Sequence, residues 1–200
     1  MDRVETNKMD MGVDRKMESN GEQGAFPKKW FCAVVSPSGK AIKEDAESPA
    51  AFRETLRDSA IAWVDYRADD FEKESPLIAA QLGFSDQLIL ALTGTSRLTY
   101  EDLDTEMGMK LPSIQVRHLD VTSYPLLILL KKGLILTVHP LNVDRRFTRL
   151  RRYSDVFLKK IPLDAPEEDR LTMLLMRIID ENNERNFEHL QEIEERGDEL

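Results

Sequence analysis

The chain has 200 residues, 41% of them apolar and 32% charged, with one cysteine and a formal net charge of -9. That balance allows one compact domain with a real core plus an appendage, and it excludes a collagen, a disulfide-stapled mini-protein and a wholly disordered chain. Lone Cys32 forms no internal disulfide and no secretory signal opens the chain, so a reducing compartment, the cytoplasm, is expected. Apolar runs such as Leu126-Leu127-Ile128-Leu129-Leu130 are far short of the roughly 20 residues that cross a bilayer.

The charge is unevenly placed. Residues 1–29 and 30–163 are each neutral overall, and the last 37 residues, with 13 acids against four arginines, carry the whole surplus. An acidic chain lacks the footprint that nucleic-acid phosphates need, so no nucleic-acid partner is expected. The one basic cluster, Arg145, Arg146, Arg149, Arg151 and Arg152, has no aromatic platform beside it. Its plainer reading is a solvated helix face or a partner for the acidic segment.

Taken in order, residues 1–29 are polar, show no strand or helix period, and are expected to form a disordered tail. Trp30-Phe31-Cys32-Ala33-Val34-Val35 reads as a strand closed by the turn Ser36-Pro37-Ser38-Gly39. Ser48-Pro49 then opens a short helix with a capping serine and a proline at its first position, carrying Phe52 and Leu56. Ile61-Ala62-Trp63-Val64-Asp65 is a strand, followed after Asp69-Asp70 by a helix that Pro76 is expected to break and Gly83 to end. Ser85 caps a helix with Leu88, Ile89 and Leu92 on one face, stopped by Gly94.

Three strand candidates follow at 107–116, 124–130 and 134–139, and Lys131-Lys132-Gly133 is too short a link for the last two to be anything but an antiparallel hairpin. After Pro140 the chain reads as helical, with Val143, Phe147, Leu150, Val156 and Leu158 interleaved among arginines, up to the break Ile161-Pro162-Leu163-Asp164-Ala165-Pro166. From Glu167 onward apolar residues recur mostly three or four apart, through Leu174, Ile178, Phe187, Leu190 and Ile193. A helix of about 30 residues is roughly 45 Å long, more than a domain of this size can cover. It reaches the last residue without a stop signal, so the expectation is a chain cut inside a longer helix. The domain organisation expected is a tail (1–29), a folded unit (30–163) and the start of a stalk (164–200).

Enzyme chemistry finds no foothold. Gly-x-Ser-x-Gly, a Walker loop, a dinucleotide-binding glycine fingerprint and His-Glu-x-x-His are absent. His118, His139 and His189 lie far apart, so a zinc site built from them with Cys32 would be accidental, and His139-Pro140 reads as a strand end. Glu101-Asp102-Leu103-Asp104-Thr105-Glu106 offers oxygen ligands but lacks the glycine turn and closing glutamate of an EF-hand, so a solvated loop is the simpler reading.

One resemblance unites these pieces. Ala62-Trp63-Val64-Asp65, Asp69-Asp70 and Gln81-Leu82-Gly83-Phe84 are followed by Leu134-Ile135-Leu136-Thr137-Val138-His139-Pro140. The helix then carries Leu174-Leu175-Met176-Arg177-Ile178-Ile179-Asp180 and Phe187-Glu188-His189-Leu190-Gln191-Glu192-Ile193-Glu194-Glu195. From about residue 60 to 200 the chain resembles the N-terminal cytoplasmic domain of a CorA-type magnesium transporter. The resemblance implies an α+β fold, a mixed and largely antiparallel sheet flanked by helices as an α/β/α sandwich, with a long C-terminal stalk helix.

It further implies five copies in a funnel and a stalk that continues into the pore-lining helix, so that this chain, which lacks the Gly-Met-Asn pore signature, does not conduct by itself. The cargo implied is Mg2+, with Co2+ or Ni2+ as further candidates. A ZntB-type zinc transporter and a free-standing interaction module are the alternatives. The transporter reading expects two membrane segments downstream; the module expects the chain to end at Leu200. Where the family can hold regulatory Mg2+ with acids, this sequence places Leu90, Ala91 and Thr172, none a ligand for a hard cation. Either other carboxylates substitute, with Asp102, Asp104 and Glu106 the nearest candidates, or this member senses Mg2+ weakly. Asp180 matches a family aspartate and reads either as an exposed helix acid or as a metal ligand.

Overall fold

A computed structural model of the chain describes residues 28–94, 99–117 and 120–198. The expected tail and His118 therefore lie outside the described residues, save for Lys28 and Lys29.

Seven strands form one sheet in the order β2-β1-β3-β7-β6-β5-β4. They are β1 (Trp30–Val35), β2 (Ala41–Ala46), β3 (Ile61–Ala68), β4 (Thr99–Asp102), β5 (Glu106–Arg117), β6 (Asp120–Lys131) and β7 (Leu134–Pro140). Every pairing is antiparallel except the central seam, where β3 runs parallel to β7 with Trp63 opposite Ile135 and Asp65 opposite Thr137. The expected 134–139 strand does form a hairpin with its predecessor.

The helices are α1 (Arg53–Arg57), α2 (Phe71–Gln81), α3 (Asp86–Thr93), α4 (Asp144–Leu158) and α5 (Glu167–Asp198). Successive side chains of a strand point to opposite faces, and in β1 both faces are covered. Trp30, Cys32 and Val34 join Ala62, Val64, Leu127, Leu129, Leu136 and Val138 in the core beneath α2 and α3. Phe31, Ala33 and Val35 join Trp63, Ile128, Ile135, Phe147, Leu150, Leu174 and Ile178 in the core beneath α4 and α5. The fold is thus the expected α/β/α sandwich with a long C-terminal helix. Each large side chain buried in either layer contributes about 1.5–3 kcal/mol. Gly108 in β5 is fixed by the first layer, because a Cβ there would fall 2.4 Å from Leu92 Cδ1 and 2.6 Å from Leu129 Cδ2.

Several local expectations are corrected. Pro76 does not break its helix. The start of α2 is capped twice: Asp70 accepts from the Lys73 N–H, and Glu74 Oε1 accepts from Asp69 at 3.0 Å and Asp70 at 2.8 Å. Pro76 then removes one bond from a helix that Phe71, Ile78 and Ala79 already pin to the sheet. Ser48 provides no side-chain cap, and its segment begins as a 3-10 turn over Pro49–Phe52 before becoming α1. Ser85 does cap α3, accepting from the Leu88 N–H. Of the apolar residues read in the helical stretch after Pro140, Val143, Phe147, Leu150 and Leu158 are buried and Val156 is exposed. The strands β2 and β4 were not expected, and the 101–106 loop is in part strand.

Candidate functional site

The motif residues of β3 and β7 meet below α4. Trp63 Nε1 donates to Thr137 Oγ1 at 2.9 Å, and the Thr137 hydroxyl donates to Asp65 Oδ1. Arg151 Nε, from α4, donates to Asp65 Oδ2 at 2.6 Å, and His139 Nε2 lies 3.4 Å from the same oxygen. Phe147 stacks on the His139 ring at 4.1 Å. Burial alone would raise the Asp65 pKa, but the Arg151 charge and the His139 and Thr137 hydrogen bonds outweigh it and hold the carboxyl well below its usual range. With every member enclosed, this cluster cannot reach a substrate; it fastens α4 across the parallel seam. Arg151, read from the sequence as part of a solvated basic face, is the member that the motif pattern missed.

On that platform lies α5. With 32 residues it is about 48 Å long. Its acidic first turn, Glu167, Glu168 and Asp169, suits the positive end of the helix dipole. Leu174 and Ile178 are buried against the sheet. One turn on, Asn182 Nδ2 donates to the Pro112 carbonyl at 2.9 Å, Asn186 Oδ1 accepts from the Ile114 N–H at 2.9 Å, and Asn186 Nδ2 donates to Pro112 at 3.2 Å. β4 pairs only with residues 107–110 of β5, so these asparagines serve the stretch of β5 that β4 leaves open. Glu181, 1% exposed, lies 3.6 Å from Arg149 of α4 and 3.5 Å from Arg177. Part of the basic cluster thus does face the acidic segment.

Past Asn186 the docking ends. Phe187 is 66% exposed and Leu190 48%, and Met173 and Met176 are exposed on the outer face of the docked half. The apolar stripe of α5 is therefore only partly covered by the chain's own body.

The predicted metal residues line a cleft of about 600 Å³ at the base of α5, where Asp102, Asp104 and Glu106 face Glu167, Glu168 and Thr172, together with Lys131 and Lys132. Both Glu106 oxygens already accept from the Ser85 N–H, at 3.0 and 3.1 Å. Among the described residues, no three His, Cys, Asp or Glu side chains gather closely enough to hold a metal ion. The residues present therefore give an acidic neighbourhood without a complete ligand set. Leu90 is 68% exposed on α3, Ala91 is beside it, and Thr172 Oγ1 donates to the Glu168 carbonyl at 2.8 Å. Asp180 is exposed in mid-helix. His189 sits 3.7 Å from Glu192 on α5, far from buried His139.

A family profile described as "CorA-like Mg2+ transporter protein" matches residues 58–200, from just before β3 to the end of the sequence. The chain belongs to the CorA family. That family is one of transporters, in keeping with the expectation of no enzyme. No curated protein matches the sequence. Among solved structures, the soluble domain of CorA from Methanocaldococcus jannaschii is similar at 19% identity and a TM-score of 0.58, covering 88% of this chain and 64% of that one. The complete CorA magnesium transporter of the same organism is similar at 18% identity and a TM-score of 0.61, with 88% and 50% covered. The ZntB cytoplasmic domain from Vibrio parahaemolyticus is similar at 17% identity and a TM-score of 0.53, with 83% and 63% covered. At these identities the likeness is one of fold. This CorA-family chain spans less than two thirds of each of the three structures. Among its described residues, no helix is long and apolar enough to cross a membrane.

Proposed function

We propose that the chain is the cytoplasmic regulatory part of a pentameric divalent-cation transporter whose cargo is Mg2+, with Co2+ or Ni2+ as further cargo, and that it does not conduct ions alone. The observation that carries this reading is α5: it docks by its first half and leaves Phe187 and Leu190 uncovered, as a stalk bound for neighbouring copies and a membrane segment would. Residues 1–29 are then a tail, 30–163 the regulatory body and 164–200 the base of the stalk, and the 13 acids of that base draw cations toward the pore mouth through their summed field.

The test is to reconstitute the full-length protein in liposomes with an Mg2+-sensitive dye and count subunits by native mass spectrometry. Five subunits and Mg2+ flux are expected; flux of Zn2+ with none of Mg2+ selects the ZntB-type alternative, favoured only by the third structural neighbour. A monomer without flux sinks both and leaves a free-standing interaction module.

Regulatory Mg2+ is assigned to the acidic cleft of Asp102, Asp104 and Glu106, as a weak site, because Leu90, Ala91 and Thr172 supply no carboxylates and Glu106 is already engaged. Millimolar Mg2+ should raise the thermal midpoint only slightly, since stabilisation by a ligand scales with the occupancy of a site. A large shift, saturating at low concentration and abolished by Glu167→Gln with Glu168→Gln, would place the ion at the stalk base instead.

A further inference from the structure

On the other side of the β6–β7 turn from the acidic cleft lies a second cleft, of about 850 Å³, between α1, that turn and the first turn of α5. Its chemistry is opposite. Arg53, Lys132 and Arg170 line it, and among the described residues none of the three has an ion-pair partner within 4 Å. Arg170 Nε is in addition buried without any hydrogen-bond partner. A buried, unpartnered guanidinium nitrogen is costly and calls for an acceptor that the chain does not supply. Two other cations at the cleft are already engaged: Arg57 with Asp58 at 3.1 Å, and Lys131 with the Leu82 and Gly83 carbonyls. The one acid in the lining, among the described residues, is Glu167.

Leu56, Leu82 and Leu134 supply an apolar wall beside the free cations. Cationic groups along an apolar wall suit an anion that carries an organic body, and the volume falls within the range of small-molecule sites and far exceeds a bare phosphate. Arginine's planar fork matches phosphate oxygens in pairs, whereas Lys132 acts as a point charge. We propose that this cleft binds a nucleoside polyphosphate, with Arg53, Lys132 and Arg170 on the phosphates and the nucleoside against the leucines. Arg170 belongs to α5 and Arg53 and Lys132 to the body, so the bound phosphates tie the base of the stalk to the sheet. The inference goes beyond the transport reading and stands or falls separately, because its test reads binding alone.

The experiment is isothermal titration of the chain, free of divalent metal, with ADP, ATP, adenosine and inorganic pyrophosphate. ADP and ATP should bind, adenosine should show no heat, and pyrophosphate should bind more weakly than ADP. Arg170→Gln should weaken ADP binding at least tenfold, Arg170→Lys should fall between that variant and the parent because a point charge cannot make the paired bonds, and Glu167→Gln should tighten binding by removing the opposing charge. Arg53 is exposed, so Arg53→Gln leaves the core intact and provides the second variant should Arg170→Gln fail to fold. Bound ADP should also slow hydrogen exchange in the first turn of α5. The proposal is overturned if neither nucleotide binds, if adenosine or pyrophosphate binds as tightly as ADP, or if the substitutions leave the affinity unchanged.

Discussion

The two halves of α5 are one continuous helix, yet one is part of the fold and the other is not. In the first half, Leu174 and Ile178 enter the core, and Asn182 and Asn186 complete the open stretch of β5. In the second half, Phe187 and Leu190 remain exposed. The difference teaches that only part of the apolar stripe is matched to a surface of this chain. It also shows that the handover falls at a specific residue, Asn186.

The strongest way to break this comparison is to remove the platform. Asp65→Ala leaves Arg151 buried without its counter-charge, and a loss of about 3–5 kcal/mol is expected in chemical denaturation. The Asp65 carboxyl is held below its usual range, so the stability it contributes is present above its unfolded pKa of about 3.9 and is lost as pH falls through the lower folded value. The parent should therefore lose stability steeply in acid, and the variant should lack that part of the pH profile.

Leu174→Ala tests the docked half directly and should cost about 2–5 kcal/mol, through lost burial and a residual cavity. An intermediate effect is expected of Asn186→Ala, which removes the acceptor of the Ile114 N–H and a donor to Pro112. The cost should be about 1–3 kcal/mol, with faster amide exchange at Ile114. The smallest effect on stability belongs to the free half: Phe187→Ser or Leu190→Ser should change it by no more than about 0.5 kcal/mol. The exposed stripe is expected to make the chain self-associate weakly, and the same changes should reduce that association in analytical ultracentrifugation. If Leu190→Ser destabilises as much as Leu174→Ala, the two halves are not distinct.

Much of the sandwich was legible because its inner strands are buried on both faces. The runs at Trp30, Ile61, Leu126 and Leu134 are apolar at consecutive positions, and caps at Asp70 and Ser85 mark the helices behind them. The two edge strands were not legible, for the same reason in reverse. β2 (Ala41–Ala46) and β4 (Thr99–Asp102) have one neighbour each and largely unburied side chains, so Lys43, Glu44, Tyr100 and Glu101 carry little of the usual strand signal. Pro76 misled because local rules cannot see a doubly capped helix start or the core that holds it.

At the candidate site, the acids at 102–106 were visible but their neighbours were not. Sequence spacing places neither Glu167 nor Lys131 in the same cleft, and it gives no sign that Glu106 is held by a backbone amide. The exposed second half of α5 was the better-read feature, since a helix longer than its domain declares its surplus from length alone.

The parallel seam also shapes how the chain is made. The edge of β3 beside Asp65 waits for Thr137, 72 residues later, before its partner leaves the ribosome. At ordinary synthesis rates that is roughly 4–14 s with a β-branched, aromatic edge unpaired. Slower decoding between those two points would lengthen the exposure of that open edge to misassembly.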